Sequence, residues 1–236
     1  MKGSTLDGSK VITIMKKKMV IMLDVESCPI DRTIEEVDAH NMLVYDIGYR
    51  IIDLHNNVYC ERSFIVGEIF FGEKAKMQTA YYASKIPQYN KDLKSGKRIA
   101  LPLSEIRSII AQDCSQYGVS IACAHNAYFD YTALRTTEKY LHAYYTIPKL
   151  EWWDTMKMAR SVIVPKKHYE KFCYKNGYTT KQNRPQATAQ ALYRFISNNN
   201  DFEENHTGLE DVIIESEILW TCIKAHKKMN RKLWKD

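Results

Sequence analysis

The order of its apolar segments is the feature that most restricts how this chain of 236 residues can fold. Three strand-like segments come first, at 19–23, 42–53 and 58–66, and each is rich in residues that favour strands. Two more, at 119–124 and 149–152, alternate with helix-like segments. Three adjacent strands followed by alternating strands and helices predict one α/β domain with a mixed sheet.

Helix-like segments occupy most of the remaining sequence. They are predicted over 68–112, with interruptions at Pro87 and 97–102, and then over 127–140, 155–162, 186–197 and 208–232. Asp154 is the predicted N-cap of the 155–162 helix, which explains this carboxylate without a functional role. The predicted core stripe of the last helix comprises Leu209, Val212, Ile213, Ser216, Trp220 and Ile223.

The composition is that of an ordinary globular protein. Charged residues make up 26%, and 34 Lys and Arg against 28 Asp and Glu give +6, which permits a polyanionic partner without requiring one. The longest apolar run, 19–23, is far shorter than the roughly 20 residues of a membrane span, so we predict no membrane association. The six cysteines are scattered and form no CxxC pattern, so we expect them to be packing residues. Scattered cysteines in a chain of this size also indicate a reduced, cytoplasmic protein.

The domain organisation is predicted to be simple. Residues 1–15 are predicted to form a flexible tail, with Met15 or Met19 as alternative starts, and 16–236 a single domain. The chain shows no internal repeat and no long low-complexity linker.

The first candidate functional residues follow the first strand. Asp24 and Glu26 project from the same face, because strand side chains alternate with a period of two. Two neighbouring carboxylates repel each other, and a divalent cation, which prefers oxygen ligands, would offset that repulsion. A solvated strand end or a turn before Pro29 would also explain the pair.

A second group lies where the 119–124 strand meets the following helix. His125, Asn126 and Asp130 occupy this junction, and strand-to-helix junctions of α/β sheets commonly carry ligand sites. Asp130 could equally offset the helix dipole, and Asn126 could equally cap the helix.

A third group opens the last helix. Thr207 and Glu210 have the spacing of a capping box, which makes Thr207 the N-cap residue. His206 and Asp211 then occupy the N′ and N4 positions, which usually make an apolar contact. The pattern predicts an imidazole and a carboxylate aimed at one another, although a surface His–Asp pair fits the same spacing.

Together these groups place four carboxylates and one histidine at the ends of predicted elements. Two-metal phosphoryl transfer needs several carboxylates around two cations, and a histidine can take the proton of the attacking water at neutral pH. The chain has no GxxxxGK[ST] phosphate-binding loop, no GxSxG nucleophile elbow and no HExxH helix. Two-metal phosphoryl transfer is therefore the chemistry that these residues favour.

The ordered motifs resemble those of a known family. Asp-x-Glu at 24–26, HNxxFD at 125–130 and HxxxxD at 206–211 are similar to the motifs of the DEDDh, or DnaQ-like, class of 3′–5′ exonucleases. The stretch from 176 to 206 further resembles stand-alone exonucleases of bacteriophages. The resemblance implies a ribonuclease-H-like α/β fold, with a mixed β-sheet of about five strands flanked by helices.

The resemblance also implies roles for the matching residues. Asp24 would bridge two Mg²⁺ or Mn²⁺ ions, with Glu26 and Asp211 completing the shell of the first ion. Asp130 would hold the second ion, partly through water, and His206 would be the general base.

Three further residues would belong to the substrate site by the same resemblance. Asn126 would position the 3′-terminal nucleotide, His125 would lie beside it, and Phe129 would pack beneath the site.

A basic segment at 166–184 adds a candidate nucleic-acid surface. It carries six Lys or Arg residues against Glu170 alone, with Tyr169, Phe172, Tyr174 and Tyr178 between them. Cations for phosphates and rings for stacking suit a single strand. An ordinary solvated flap explains the segment equally well.

We therefore expect a metal-dependent 3′–5′ exonuclease that acts on single-stranded DNA or DNA 3′ ends and releases nucleoside 5′-monophosphates. An exoribonuclease stays open, because the motifs do not distinguish the sugars. A non-catalytic nucleic-acid-binding module and a polymerase-associated proofreading subunit are the alternatives of other kinds. The end of the chain about 25 residues after Asp211 favours a free-standing enzyme. The expected location is the cytoplasm, which is that of the host if a bacteriophage encodes the protein.

Overall fold

A mixed six-stranded sheet runs through the part of the chain that the computed structural model describes, residues 17–31, 33, 38–143 and 149–232. Its strands are β1 (Met19–Pro29), β2 (Met42–Asp53), β3 (Val58–Val66), β4 (Ile99–Leu101), β5 (Val119–Ala124) and β6 (Glu151–Asp154). They are arranged in the order β4-β3-β2-β1-β5-β6. β2 is antiparallel to both β1 and β3, whereas the pairs β3–β4, β1–β5 and β5–β6 are parallel.

Helices flank the sheet on both faces. They are α1 (Gly67–Phe70), α2 (Lys74–Met77), α3 (Ile86–Ser95), α4 (Leu103–Tyr117), α5 (Ala127–Tyr140), α6 (Thr155–Val162), α7 (Lys167–Asn176), α8 (Ala189–Ser197) and α9 (Gly208–Lys224). Short 3-10 turns occupy Ala39–Asn41 and Ala83–Lys85. The predicted fold class, α/β with a mixed sheet flanked by helices, is confirmed.

The alternation of side chains along β1 divides the interior into two cores. Met19, Ile21, Leu23 and Val25 pack into the core that includes α4 and α5. Val20 and Met22 pack into the opposite core, which includes α6, α8 and α9. Strand side chains alternate between the two faces of a sheet. Asp24 and Glu26 therefore point to the same face as Val20 and Met22, which is the face that α9 covers.

Several predicted elements have the predicted bounds. β2, β3, β5, α5 and α6 begin and end as the sequence indicated, and Asp154 caps α6 by accepting from the backbone N–H groups of Met156 and Lys157. The polar turn at 56–57 joins β2 to β3, and Asn56 adopts the left-handed conformation there.

Other predictions were wrong in detail. β1 runs on to Pro29, because pairing with β2 continues past the carboxylates through a bulge between Glu26 and Ser27. Pro87 lies in the first turn of α3, where its missing N–H does no harm, instead of interrupting a helix. The sheet has six strands and not about five, since 99–101 pairs with β3.

The later part of the chain also differs from the prediction. β6 lies two residues further along, at Glu151–Asp154, and α7 forms within the basic segment, for which no helix was predicted. α8 begins at Ala189 because Thr188 caps it, and α9 ends at Lys224 and not at 232. The chain beyond α9 is extended enough for Lys232 to bridge to Trp153 of β6.

The cysteines, membrane-spanning helices and domain organisation were also the subject of predictions. All six cysteines lie in the described part of the chain, are free, and are buried except for the half-buried Cys60, which agrees with a packing role. Among the described residues, no helix combines the length and apolar character needed to cross a membrane. The predicted tail over 1–15 lies outside the described residues, and the assignment of 16–236 to a single domain stays a prediction.

The start of α9 lies in direct backbone contact with the sheet. Gly48 of β2 pairs across the sheet with Asp24 of β1, and a Cβ atom at Gly48 would lie 2.0 Å from the backbone nitrogen of Leu209. A Cβ atom at Gly208 would lie 2.6 Å from the backbone nitrogen of Gly48. Both positions therefore require glycine for close approach.

A buried ion-pair network holds the same helix turn from the side. The guanidinium of Arg98 lies 3.1 Å from Asp46 of β2, 3.1 Å from Asp92 of α3 and 2.7 Å from Glu210 of α9. Asp46 also accepts a hydrogen bond from the backbone N–H of Gly208 at 2.9 Å. One fully buried arginine thus joins the sheet, the segment between β3 and β4, and the first turn of α9.

Adding a methyl group at the helix–sheet contact should destabilise the fold. We expect Gly48→Ala and Gly208→Ala each to lower the free energy of unfolding by about 3 kcal/mol, because the atoms in the way belong to backbone that cannot move aside. Gly67→Ala is the matched control, since its nearest neighbour atom lies at an ordinary 3.6 Å. Denaturant unfolding followed by circular dichroism measures all three, and equal stability of Gly48→Ala and Gly67→Ala would contradict the packing described.

Candidate metal centre

Three predicted carboxylates meet where β1 and α9 touch. Asp24, Glu26 and Asp211 each offer an oxygen, and these oxygens all lie within 4.8 Å of one another. The carboxylate of Asp211 is oriented by the backbone N–H of His206, which donates to its Oδ1 at 3.2 Å. The structure thus brings residues more than 180 positions apart into one acidic cluster.

Asp130 lies beside this cluster, in the first turn of α5. Its Oδ1 accepts from the backbone N–H of Val25 at 3.2 Å, and the side chain is buried. β5 leads into α5 and is the parallel neighbour of β1, so the helix begins next to the two β1 carboxylates. The negative charge of Asp130 is close enough to raise the pKa of Asp24.

His206 approaches the cluster from the loop before α9. Its backbone has a positive φ of 54°, and a ring nitrogen lies within 4.8 Å of carboxylate oxygens of both Asp211 and Glu204. The predicted imidazole and carboxylate are therefore neighbours. The capping box is altered, because Thr207 makes no side-chain cap bond and instead donates its hydroxyl to Glu210 at 2.7 Å.

An aromatic ring from the segment between β3 and β4 supports the imidazole. The ring of Tyr82 stacks on His206 with centroids 4.2 Å apart and planes at 10°. The same segment brings Lys85, whose Nζ lies 3.3 Å from Asn205 Oδ1. Burial, and then the charge of Lys85, lower the pKa of His206, so the neutral imidazole is favoured near pH 7.

Two carboxylates of this region were not among the residues predicted from the sequence. Glu204 lies next to His206 and Asp211, and Glu215 lies one turn after Asp211, buried with 3% of its surface exposed. The predicted core stripe of α9 was right for Val212 and Ser216, which are buried, and wrong for Ile213, which is 37% exposed. The i, i+4 spacing of Asp211 and Glu215 was the available signal.

Burial raises the pKa values of the whole cluster. It raises the pKa of Glu26 to about 9, and those of Asp130 and Asp211 to about 8, with repulsion from neighbouring carboxylates adding to the shifts. The pKa values of Asp24 and Glu215 are raised well above their usual range by burial and by the same neighbours. Divalent cations would reverse this effect, since they favour ionised carboxylates.

Two buried carboxylate oxygens in this region are not satisfied by hydrogen bonds within the protein. Oδ2 of Asp24 and Oε2 of Glu215 are buried and have no hydrogen-bond partner. Unpaired buried carboxylate oxygens are unfavourable, and hard cations such as Mg²⁺ and Mn²⁺ bind such oxygens. The donor set therefore fits the cations that the sequence motifs imply.

The three predicted substrate residues have different environments. Asn126 starts α5 in the left-handed conformation, and its exposed side chain makes no capping hydrogen bond. Phe129 is half-buried against the core. The ring nitrogens of His125 lie 2.9 Å from Thr155 Oγ1 and 2.7 Å from the carbonyl oxygen of Ala187, so the imidazole is engaged within the protein.

The aromatic residues of the basic segment are mostly used for packing. Tyr169 is fully buried, and Phe172 stacks on Tyr178 with ring centroids 5.7 Å apart. Tyr174 is exposed, with its hydroxyl donating to the carbonyl oxygen of Asn183. The interleaved rings therefore explain how α7 packs, and the buried ring of Tyr169 is not available to stack on a nucleic acid.

The raised pKa values predict a pH-dependent stability without metal. In EDTA, we expect the free energy of unfolding to fall as pH rises from about 5 to about 9. Unfolded carboxyl groups have pKa values near 4, whereas those of Asp130, Asp211 and Glu26 lie at about 8 to 9 when folded. The folded state therefore binds more protons in this window, and stability present at low pH is lost as pH rises.

Thermal unfolding across this pH range, with and without Mg²⁺, is the measurement. Saturating Mg²⁺ should remove most of the decline, and Asp130→Asn should make the decline in EDTA shallower. Asp201→Asn, which changes an exposed carboxylate, should behave as wild type. A melting temperature that rises with pH in EDTA would contradict the electrostatics described.

Comparisons with known proteins give limited similarities. No protein-family model and no curated protein sequence matches this chain. Among solved structures, E. coli Exonuclease I in complex with a dT13 oligonucleotide superposes with a TM-score of 0.49 and 12% identity over 87% of this chain and 41% of that chain. Exonuclease X in complex with 5′ overhanging duplex DNA gives a TM-score of 0.37 and 16% identity over 87% of this chain and 91% of that chain. This chain spans about two-fifths of the length of Exonuclease I, and similarities of this size decide neither family nor function.

Proposed function

We propose that this protein is a divalent-cation-dependent 3′–5′ exonuclease that hydrolyses the terminal phosphodiester bond of single-stranded DNA and releases a nucleoside 5′-monophosphate. The observation that carries the proposal is the meeting of Asp24, Glu26 and Asp211 within 4.8 Å, with His206 against the same cluster. The ordered motifs that supply these residues support membership of the DEDDh class. Cytoplasmic location stays a prediction.

The carboxylates have distinct roles in this proposal. Asp24, Glu26 and Asp211 would hold one cation, and Asp130, with Asp24, would hold the other. When bound, the cations stabilise the charge that develops on the phosphate and lower the pKa of the attacking water. Mg²⁺ and Mn²⁺ both suit an all-carboxylate set of this kind.

His206 acts as the general base. Its lowered pKa keeps the imidazole neutral near pH 7, so a ring nitrogen can accept the proton of the attacking water. The stack on Tyr82 and the backbone bond to Asp211 limit the positions that the ring can take. Tyr82 is accordingly a positioning residue in this proposal.

The surroundings of His206 suit the end of a single strand. Tyr81 is 81% exposed, and its ring lies edge-on to Tyr82 with centroids 4.8 Å apart. An exposed ring next to the proposed base can stack on a nucleobase, and the charge of Lys85 can face a backbone phosphate. The exposed amide of Asn126 can hydrogen-bond the terminal nucleotide.

A degradation assay tests the proposal. A 5′-labelled single-stranded DNA should shorten from its 3′ end in Mg²⁺ and stay intact in EDTA, and a blocked 3′ end should prevent shortening. Asp24→Asn should abolish turnover while DNA binding persists, and His206→Ala should lower kcat by about a hundredfold or more. Asp201→Asn is the matched surface control.

The assay also separates the alternatives. Activity in EDTA, internal cuts, or full activity of Asp24→Asn would contradict the proposal. Faster degradation of RNA than of DNA would identify an exoribonuclease that uses the same residues. Binding without turnover in any cation would identify a binding module.

Loss of the ring that stacks on His206 should reduce catalysis more than binding. We expect Tyr82→Ala to lower kcat by about tenfold or more with little change in KM, because a misplaced base acts on the reaction step. Tyr82→Phe keeps the stacked ring and should restore most of kcat. Steady-state kinetics of both variants give the measurement, and equal kcat values for Tyr82→Ala and wild type would show that the stack has no role in catalysis.

A further inference from the structure

Glu215 is a buried carboxylate to which none of the sequence motifs assigns a role. It lies on α9 one helical turn after Asp211, so both side chains leave the same face of the helix. It is 3% exposed, and its Oε2 has no hydrogen-bond partner. Burying a carboxylate oxygen without a hydrogen-bond partner is unfavourable.

Glu215 lies close enough to the acidic cluster for its charge to raise the pKa of Asp24, as the charges of Asp130, Glu26 and Asp211 also do. Oδ2 of Asp24 is itself buried and unpartnered. Two orphaned oxygens thus belong to neighbouring carboxylates in the same cluster.

Other buried acids of this chain have partners inside the protein. Asp46 contacts Arg98 at 3.1 Å and accepts from Tyr89 at 2.9 Å. Asp113 contacts Arg62 at 3.0 Å and accepts from the hydroxyl of Tyr49 at 2.7 Å. Glu215 accepts a hydrogen bond from the backbone N–H of His125, but the charges that raise its pKa are the carboxylates of Asp130, Asp211 and Glu204, and no cation offsets them as Arg98 and Arg62 do for the other two acids.

We infer that Glu215 supplies a fifth carboxylate to the cation site, beside Asp24, and that its charge contributes to binding divalent, oxygen-preferring cations. The inference deepens the proposed function and rests on it. The motifs supply four carboxylates, and Glu215 would be the fifth, near Asp24. Cation binding would then relieve repulsion among five acids and would satisfy both orphaned oxygens.

The position on α9 also links cation binding to helix packing. Asp211 and Glu215 occupy successive turns of the face that covers the sheet, next to buried Val212 and Ser216. Without cations, the two carboxylates repel the β1 carboxylates across this interface. Binding of cations should therefore stabilise the whole protein, because ligands that bind only the folded state raise its stability.

Cation titration of the full chain, followed by thermal unfolding without nucleic acid, tests this inference. Glu215→Gln keeps the shape of the side chain and removes its charge. We expect its melting temperature in EDTA at pH 8 to equal or exceed that of wild type, because the amide removes the cost of burying an ionisable carboxyl group among other carboxyl groups. We expect the Mg²⁺ concentration at half-maximal stabilisation to rise by about tenfold or more, as for residues that support a metal site.

Two controls define the outcomes. Glu217→Gln changes a neighbouring carboxylate that accepts from Asn56 at 2.8 Å, and it should titrate as wild type. A shift below about fivefold for Glu215→Gln, against the roughly tenfold or larger loss expected of a site residue, overturns the inference. Should this variant fail to fold, Glu215→Met, which removes the charge on a side chain of similar length, is measured against the same threshold.

The same titration separates this inference from the proposed function. If wild type gains no stability from Mg²⁺ or Mn²⁺, the cation site itself is wrong. If wild type responds, Asp24→Asn does not, and Glu215→Gln responds as wild type, the site stands and Glu215 lies outside it.

Discussion

The direct packing of the first turn of α9 on β1 and β2 is the constraint on which the candidate site depends. Gly48 and Gly208 allow the two backbones to touch, and any side chain there would push the helix away. The buried guanidinium of Arg98 binds Asp46 of the sheet and Glu210 of the helix at the same place. Because the helix is fixed at its start, the residues around that start are held against the carboxylates of β1.

This rigid contact brings together groups that repel one another. Asp24, Glu26, Asp130 and Asp211 all have raised pKa values, since burial and mutual repulsion favour their neutral forms. Away from the cluster, the buried carboxylate of Asp46 is paired with the buried guanidinium of Arg98, which offsets its charge. Because the carboxylates are already held in place, cation binding costs little conformational entropy. Such preorganisation suits catalysis by stabilisation of charge.

The sequence was sufficient to predict those parts of the structure that depend on local patterns. Alternation and turn residues predicted β2 and β3 with their bounds, and the Asp154 cap located the start of α6. β4 could not be predicted, because a three-residue strand depends on its partner β3 and not on its own composition. On α9, the predicted core face included Ile213, which is exposed, and left out Glu215, which is buried. The stack of Tyr82 on His206 joins residues far apart in sequence, and no local pattern encodes it.

We propose a divalent-cation site in the acidic cluster between β1, α5 and α9. Anomalous scattering from crystals of the protein soaked in Mn²⁺, recorded near the manganese edge, would locate the bound ions. We expect two anomalous peaks among the carboxylates of Asp24, Glu26, Asp130 and Asp211, both absent from crystals of Asp24→Asn. Manganese bound elsewhere with none in this cluster, at Mn²⁺ concentrations that stabilise the protein in solution, would contradict it.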